Sequence, residues 1–297
     1  MINICHTSEE IEKYRRAGKI LVEVRKQAAK KITVGASVLE TAVFVEDLTR
    51  DLGGAPAFPC NLSRDADAAH YTPGADDTSV FGEEMVKLDI GVHVDGYIAD
   101  SAITIDLSDH QELVEASKAA LKSAIGVVRA GVDTSEIGAA IEKTIHEFGY
   151  KPISNLTGHG LLRYQTHAPP GIPNIPTRSG TVLCEGQVIA IEPFATDGDG
   201  KVKNASSWEI YHLTTENPVL PRIPRVRKLL REMMEYKTLP FAKRWFSGDK
   251  IDFTFRQLVK SGHIEYYPIL REVTGALVSQ AEHTMIVTED GCEVTTR

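Results

Sequence analysis

An alternating stretch from 85 to 105, with Asp95-Gly96 at its centre, constrains the fold of this chain more than any other feature. An Asp-Gly pair between alternating strands is typical of a two-residue hairpin turn, because both turn positions need positive φ. That turn pairs Val94 with Tyr97 and fixes the register of the whole hairpin. One face of the predicted hairpin is then apolar throughout and forms a core face: Leu88, Ile90, Val92, Val94, Ala99 and Ile103.

The same register brings two aspartates to the other face. Gly91 lies opposite Asp100, and Asp89 becomes a diagonal neighbour of Asp100, with Cα atoms about 7–8 Å apart. Two carboxylates aimed at one point repel each other unless a cation or a proton lies between them. Gly91, which has no side chain, is expected to leave room for that cation. Two solvated aspartates are the alternative, although the rest of this face is not typical of a wet surface: His93, Ile98 and Ala102.

Three further residues offer metal ligands later in the chain. His159 lies between two glycines in a predicted turn, Glu192 ends an apolar strand, and Glu282 lies inside another strand pattern. A carboxylate costs several kcal/mol when it is buried without a partner. Each residue alone is more often structural, but together with the aspartate hairpin they predict a metal site. Four carboxylates and one imidazole suit Mn, Fe, Co or Zn, and their charge favours two ions.

Helical and strand periodicities alternate along the chain and predict a large α+β domain. Thr7 and Ser37 are predicted to begin the first two helices, and further helices are expected at 111–130 and 134–148. Besides the hairpin, strands are expected at 188–191, 209–214 and 277–287. The segments 55–77 and 151–176, rich in Pro, Gly and polar residues, read as loops.

A helical, basic insertion interrupts the strands near the end of the chain. It divides the sequence into the first part of the α+β domain (1–217), the insertion (218–268) and the last strands of the same domain (269–297). Between Pro221 and Lys250 the insertion has nine Lys or Arg against three Asp or Glu. A charge run of this kind is usually a solvated face, and contact with RNA is the alternative.

Bulk composition excludes several classes of protein. The net charge of −8 over 297 residues argues against a dedicated nucleic-acid binder, and no DNA partner is expected. No apolar stretch approaches the roughly 18–20 residues that span a bilayer, and the N-terminus lacks the pattern of a signal peptide. The four cysteines are scattered, as in reduced proteins. We therefore expect a soluble, cytoplasmic protein without a membrane partner.

Several ordered motifs resemble those of the type 2 methionine aminopeptidases, in the short archaeal-like form without an N-terminal extension. The resemblance covers nearly the whole chain and rests on FP, HYTP, KLDIGVHVDGYIADSA, NLTGHGLLRYQTHAPPGIPNI, EGQVIAIEPFAT, FAKRW and QAEHT. It implies the pita-bread fold, in which two pseudo-symmetric α/β halves have curved antiparallel strands and outer helices. The segment 218–268 takes the place of the type 2 helical subdomain, which decides the subtype.

The resemblance also implies roles for nine residues. Asp89 is similar to the chelating aspartate of one metal, Asp100 and Glu282 to the bridging carboxylates, and His159 and Glu192 to the remaining ligands of the second metal. His167 is expected to contact the scissile carbonyl, His70 to lie beside the substrate, and Glu192 also to shuttle a proton. Two aromatic residues are expected to line the methionine pocket: Phe58 and Tyr267. Cys60 departs from the family pattern and is expected to bring a thiol near the pocket rim.

The activity implied is that of a dinuclear-metal aminopeptidase with Co, Mn, Fe or Zn. It would remove the N-terminal methionine of nascent proteins and peptides, with a small second residue preferred, by attack of a metal-bridged hydroxide. An Xaa-Pro aminopeptidase or prolidase shares the fold and ligand order, but usually carries a sizeable N-terminal domain. A non-catalytic, ribosome-associated homologue is a further alternative, against which the complete ligand set argues. The nascent-chain substrate makes a ribosome contact through the basic insertion a further expectation.

Overall fold

The structure, a computed structural model, describes residues 6–297. Its α-helices are α1 (Ser8–Ala28), α2 (Val38–Asp51), α3 (Gln111–Val127), α4 (Thr134–Glu147), α5 (Pro224–Met233) and α6 (Ile251–Lys260). Its strands are β1 (Ala55–Pro56), β2 (Asn61–Arg64), β3 (Asp67–Ala69), β4 (Met85–Val94), β5 (Tyr97–Asp106), β6 (Lys151–Pro152), β7 (Thr157–Leu162), β8 (Gln165–Pro173), β9 (Val188–Ile191), β10 (Phe194–Thr196), β11 (Val202–Asn204), β12 (Ile210–Leu213), β13 (Phe241–Ala242), β14 (Ile264–Tyr267), β15 (Leu270–Glu272), β16 (Val278–Gln280), β17 (His283–Val287) and β18 (Cys292–Val294).

The first half packs α1 and α2 against a sheet in which β4 is central. Short β1 and β2 pair with β4, and β5 pairs with it along its full length. Both predicted helix starts are confirmed: Thr7 forms a capping box with Glu10, and Ser37 caps α2. The apolar face of the β4–β5 hairpin packs against the two helices, as the alternation predicted, and helices and sheet share one core cluster.

The second half repeats this arrangement with α3 and α4. They pack on a five-stranded antiparallel sheet of order β18-β17-β9-β7-β8 and form a second core cluster with it. The predicted strand 277–287 is divided in two, because the chain leaves the strand conformation at Ala281 and Glu282. Two halves, each with outer helices on a sheet, confirm the predicted α+β class.

Strand β5 joins the two halves through hydrogen bonds to the segment between β16 and β17. The hydroxyls of Thr104 and Ser101 donate to the carbonyls of Gln280 and Glu282, both at 2.7 Å. In return, the Glu282 N–H donates to the Ala102 carbonyl at 2.9 Å. The carboxylates of the hairpin and of the last strands are therefore held close together.

Two segments predicted as loops contain strands. Residues 151–176 hold β6 and the β7–β8 hairpin, and residues 55–77 hold β1, β2 and β3. The β7–β8 pairing changes register around Gly158 and Gly160, so the alternation of these strands is interrupted. Prolines and glycines occupy many of their positions, which conceals strand periodicity from the sequence.

The segment 218–268 is only partly helical. Helices α5 and α6 pack on the small sheet β13-β12-β14, and the three strands contribute to the same apolar cluster. Strand β12 precedes the predicted boundary at 218, so this cluster joins the segment to the first part of the chain. The division at 218 and 268 stays a prediction.

None of the helices described is both long and apolar enough to cross a bilayer. Cys60, Cys184 and Cys292 are free thiols. Cys5 and the first five residues, on which part of the signal-peptide prediction rests, lie outside the described residues.

Candidate metal centre

All nine residues singled out from the sequence line one cavity of about 190 Å³. They come from both halves of the molecule and, in the case of Tyr267, from the end of the inserted segment. The cavity has room for ions and a side chain but not for a folded partner. Its lining includes Asp89, Asp100, His159, Glu192, Glu282, His70, His167, Phe58 and Tyr267.

The register of the β4–β5 hairpin is the predicted one. Val94 pairs with Tyr97 and Gly91 with Asp100, which places Asp89 and Asp100 on the same face. The Asp100 backbone is fixed from the other half, because its N–H donates to the Thr284 hydroxyl at 2.7 Å. That hydroxyl in turn donates to the Asp100 carbonyl at 2.8 Å.

The expectation that Gly91 leaves room for a cation is wrong. The ring of Phe58 lies directly over Gly91, and a Cβ added there would overlap it. Gly91 therefore admits an aromatic side chain to the cavity, and the space over it is not available to a cation.

His159 lies within strand β7, not in a turn as expected. Its Nε2 is 3.8 Å from Asp100 Oδ2 and 3.7 Å from Glu192 Oε1. The flanking glycines serve close strand packing: a Cβ at Gly158 would overlap the Ala190 carbonyl, and one at Gly160 the Pro169 carbonyl. The backbone of β7 can thus approach its neighbours and bring the imidazole to the carboxylates.

The two glutamates reach the cluster from positions where strands end. Glu192 follows the last residue of β9, and its Oε2 accepts from Gln280 Nε2 at 3.3 Å. Glu282 lies in the break between β16 and β17 and is 2% exposed. Both carboxylates therefore point into the cavity from rigid elements.

The donor set fits a divalent cation. One ligand atom from each of Asp100, His159 and Glu282 lies within 4.8 Å of the others. Burial, then repulsion by neighbouring carboxylates, raises the pKa of Asp100 and Glu282 well above the usual value. Burial raises the pKa of Asp89 to about 7. Among the described residues, nothing hydrogen-bonds one oxygen of each of three carboxylates: Asp89, Asp100 and Glu282.

A cation removes both costs at once, because it supplies the charge and the partner that these oxygens lack. Oxygen-rich ligation with one imidazole is the chemistry of first-row divalent ions rather than of a soft-metal thiolate site. The geometry thus supports the use of divalent metal.

Two histidines flank the donors without joining them. His70 has a positive φ of 69°, and its Nδ1 lies 3.2 Å from the Pro268 carbonyl. A carbonyl only accepts, so Nδ1 carries the proton and Nε2 is left with a lone pair. Burial lowers the pKa of His70 to about 4. His167 packs edge-on against His159, with ring centroids 4.6 Å apart, and Tyr267 lies beside both flanking histidines.

The expectation of a reactive thiol at the pocket rim is wrong. Cys60 is 1% exposed, belongs to the core of the first half, and does not line the cavity. Burial raises the pKa of its thiol well above the usual value, which makes a thiolate unfavourable.

Sequence reasoning missed two residues that contact predicted site residues. Asn61, on β2 opposite Asp89, donates from Nδ2 to Asp89 Oδ2 at 3.2 Å. His212 packs against Tyr267, with ring centroids 5.0 Å apart. Recognition of β2 as a strand would have placed Asn61 opposite Asp89. His212 lies in the predicted strand 209–214, but its sequence context does not indicate that it meets Tyr267.

Comparison with known proteins agrees with this geometry. Residues 12–289 match Metallopeptidase family M24. The chain is 53% identical over 288 residues to the methionine aminopeptidase of Archaeoglobus fulgidus, covering 96% of this chain and 98% of that protein. It is 45% identical over 293 residues to the methionine aminopeptidase of Methanocaldococcus jannaschii, covering 97% and 99%.

Solved structures share the fold at lower identity. The methionine aminopeptidase of Thermotoga maritima superposes with a TM-score of 0.72 at 24% identity, and each chain covers all of the other. At such identity the likeness concerns the fold, and it agrees with the two-halved architecture described above.

Proposed function

Because the chain belongs to metallopeptidase family M24, and within it to the methionine aminopeptidases, we propose that it removes the N-terminal methionine of peptides and nascent proteins. One observation carries the proposal: the five residues predicted as metal ligands line one cavity in a chain that is similar over nearly its whole length to such enzymes. A small second residue is the preferred context. Relatives at 41–53% identity bear the methionine aminopeptidase name, so a proline-specific or non-catalytic role is not favoured.

Two divalent ions would be held by the five donors. Asp89 would bind the first ion, Asp100 and Glu282 would bind both ions, and His159 and Glu192 would complete the second site. Manganese, iron, cobalt and zinc all suit this donor set. Bound there, a divalent ion supplies a Lewis acid for the scissile carbonyl and lowers the pKa of a water toward neutrality.

Glu192 moves the proton that the reaction requires. Its carboxylate takes a proton from the attacking water and returns it to the nitrogen of the leaving amine. The end of β9 holds it in place, and the bond from Gln280 fixes one of its oxygens. The other oxygen faces His159, on the side of the cluster.

His167 and His70 orient the substrate. His167 packs against His159 at the mouth of the cavity, where it donates a hydrogen bond to the carbonyl oxygen as charge develops there. His70 is held by Pro268, so its Nε2 is directed at the bound peptide. Phe58 and Tyr267 enclose the methionine side chain with apolar surface.

Substrate supply suggests a place of action. Nascent chains offer the methionine as they leave the ribosome, so the enzyme would work in the cytoplasm close to it. Helix α5 of the inserted segment carries exposed basic side chains that could contact the ribosome: the Lys228 side chain is 83% exposed and that of Arg225 47% exposed. Salt-sensitive cosedimentation with ribosomes, lost when Arg225, Arg227 and Lys228 are neutralised, tests this contact.

Turnover of Met-Ala-Ser by metal-stripped protein, titrated with each divalent ion, tests the activity. We expect no turnover without metal, restoration on titration, and little hydrolysis of Ala-Pro peptides. Glu282→Ala serves as the control and should lose metal and activity together. Faster cleavage of Ala-Pro, or no turnover with any ion, contradicts the proposal.

A further inference from the structure

The segment 58–73, here called the wall segment, supplies four residues to the cavity, three of them with functional side chains, but contains only two short strands. Phe58 covers Gly91, Asn61 bonds Asp89, and His70 lies at the far end. A segment with so little regular structure of its own needs bonds from elsewhere to hold three side chains in place. Those bonds come from behind the cavity.

Glu46 of α2 binds the N-terminal end of the wall segment. It is 3% exposed, and its Oε1 accepts from the Cys60 N–H at 3.1 Å. Its Oε2 accepts from Trp245 Nε1 at 2.7 Å, and its Oε1 also pairs with Arg244. A single buried carboxylate therefore joins the wall segment to the inserted segment.

Arg244 binds the C-terminal end of the wall segment. Its Nη1 donates to the Thr72 hydroxyl at 2.8 Å and to the Pro73 carbonyl at 3.0 Å, while its Nη2 bonds Glu46. Its Nε has no partner within residues 6–297, so the terminal nitrogens make all of these contacts. The two terminal nitrogens thus donate to different elements of the fold, as the planar fork of a guanidinium allows.

Thr72 closes the circuit between the two ends. Its hydroxyl donates to the Cys60 carbonyl at 2.7 Å while it accepts from Arg244. Thr72 is 3% exposed and neither it nor Arg244 lines the cavity. Glu46, Cys60, Thr72 and Arg244 thus form a closed ring of hydrogen bonds directly behind the residues that face the substrate.

We propose that Arg244 and Thr72 are positioning residues, through which the inserted segment holds Phe58, Asn61 and His70 in their binding geometry. The inference rests on the proposed function, because it assigns those three side chains to the substrate and the metal-bearing Asp89. The contribution of the inserted segment to the reaction is accordingly to brace the cavity wall.

Two substitutions of Thr72 differ by whether they keep its hydroxyl. Thr72→Val removes the hydroxyl that joins the two ends of the wall segment and leaves the Glu46–Arg244 pair intact. Thr72→Ser keeps the hydroxyl. Thr254→Val is the matched control, because Thr254 is also 3% exposed but its hydroxyl bonds only the carbonyl of Lys250, the residue before α6. A second route is Arg244→Lys, which keeps the charge beside Glu46 but cannot reach both Thr72 and Pro73.

Hydrogen exchange of peptides from 58 to 73 and steady-state kinetics on Met-Ala-Ser give the readouts. We expect Thr72→Val and Arg244→Lys to speed exchange in this segment and to raise KM about tenfold, with a smaller change in kcat, because misplaced binding groups weaken the fit of the substrate. Thr72→Ser should restore both readouts, and Thr254→Val should change neither. Melting temperatures identify any variant that is merely unfolded.

The proposal is overturned if Thr72→Val folds and leaves both the exchange of 58–73 and KM unchanged. It is also overturned if Thr254→Val raises KM as much, because the effect would then follow from any lost buried hydroxyl. Should the parent protein fail to cleave Met-Ala-Ser with any metal, the proposed function fails instead. The exchange measurement would still decide whether the ring holds the segment.

Discussion

At the scale of single residues, Gly91 determines what the cavity contains. The absence of its side chain allows the Phe58 ring to lie over β4 at Gly91, the residue that pairs with Asp100. A methyl group there would overlap the ring, which lines the cavity and would have to shift within it.

Gly91→Ala should therefore reduce activity far more than stability. We expect kcat/KM to fall by about 10²-fold, because misplacement by an ångström near the reacting atoms has that effect, while overpacking lowers the free energy of unfolding by about 1–3 kcal/mol. Kinetics and denaturant unfolding measure the two effects. Gly82→Ala is the control, since an added Cβ at Gly82 has no neighbour within 4 Å; equal losses in both variants would contradict the argument.

Charge in apolar surroundings was the strongest residue signal in the sequence. Glu192 and Glu282 stood out because burial of an unpaired carboxylate is costly, and both line the cavity. The positions of Asn61 and Cys60 could not be derived in the same way, because burial of a neutral residue carries no comparable cost. Asn61 bonds Asp89 and Cys60 bonds Glu46, partners that are distant in sequence and meet only in the folded chain.

At the scale of elements, the β4–β5 hairpin could be derived almost completely. Its turn type fixes the register, and the register fixes every facing pair. The β7–β8 hairpin could not, although β8 alternates exposed and buried residues. Its buried positions include Ala and Pro rather than large apolar residues, and its register shifts near Gly158 and Gly160.

His93 gives the β4–β5 hairpin a pH dependence. Its Nδ1 accepts from the Gly96 N–H at 3.1 Å, and burial lowers its pKa to about 4. The unfolded pKa is about 6.5, so the neutral ring is favoured in the folded state. Its stabilisation is complete above the unfolded pKa and is lost as the pH falls through the folded value.

We expect His93→Asn to flatten that acid dependence, because an Asn oxygen can accept the same N–H without titrating. Between pH 7 and 4 the parent should lose up to about 3 kcal/mol more unfolding free energy than the variant. Urea unfolding across this range measures the difference. Parallel pH profiles for the two proteins would rule out His93 as the source.

At the scale of the whole molecule, the donor cluster spans the junction of the halves. Asp89 and Asp100 belong to the first sheet, whereas His159, Glu192 and Glu282 come from the second half. Without a cation, burial and mutual repulsion of these carboxylates oppose the contact between the halves. Metal should therefore stabilise the entire fold.

Removal of metal by a chelator should lower the melting temperature, and Mn²⁺ should restore it. At a free ion concentration 100 times Kd the gain is about 2.7 kcal/mol, or several degrees in Tm for a chain of this size. Calorimetry with and without chelator measures it. In Glu282→Ala the ion should have a much smaller effect, and an equal shift in that variant would place the binding elsewhere.

Glu282, which lies between strands β16 and β17 near the end of the chain, has a consequence for biosynthesis. Translation proceeds from the amino end, so the hairpin, β7 and β9 are all made before β16 and β17 deliver the last carboxylate beside Ala102. An ion held jointly by Glu282 and the earlier residues would therefore bind last, after the C-terminal strands have been made. A chain truncated before β16 would lack this carboxylate, and added metal would not restore its site.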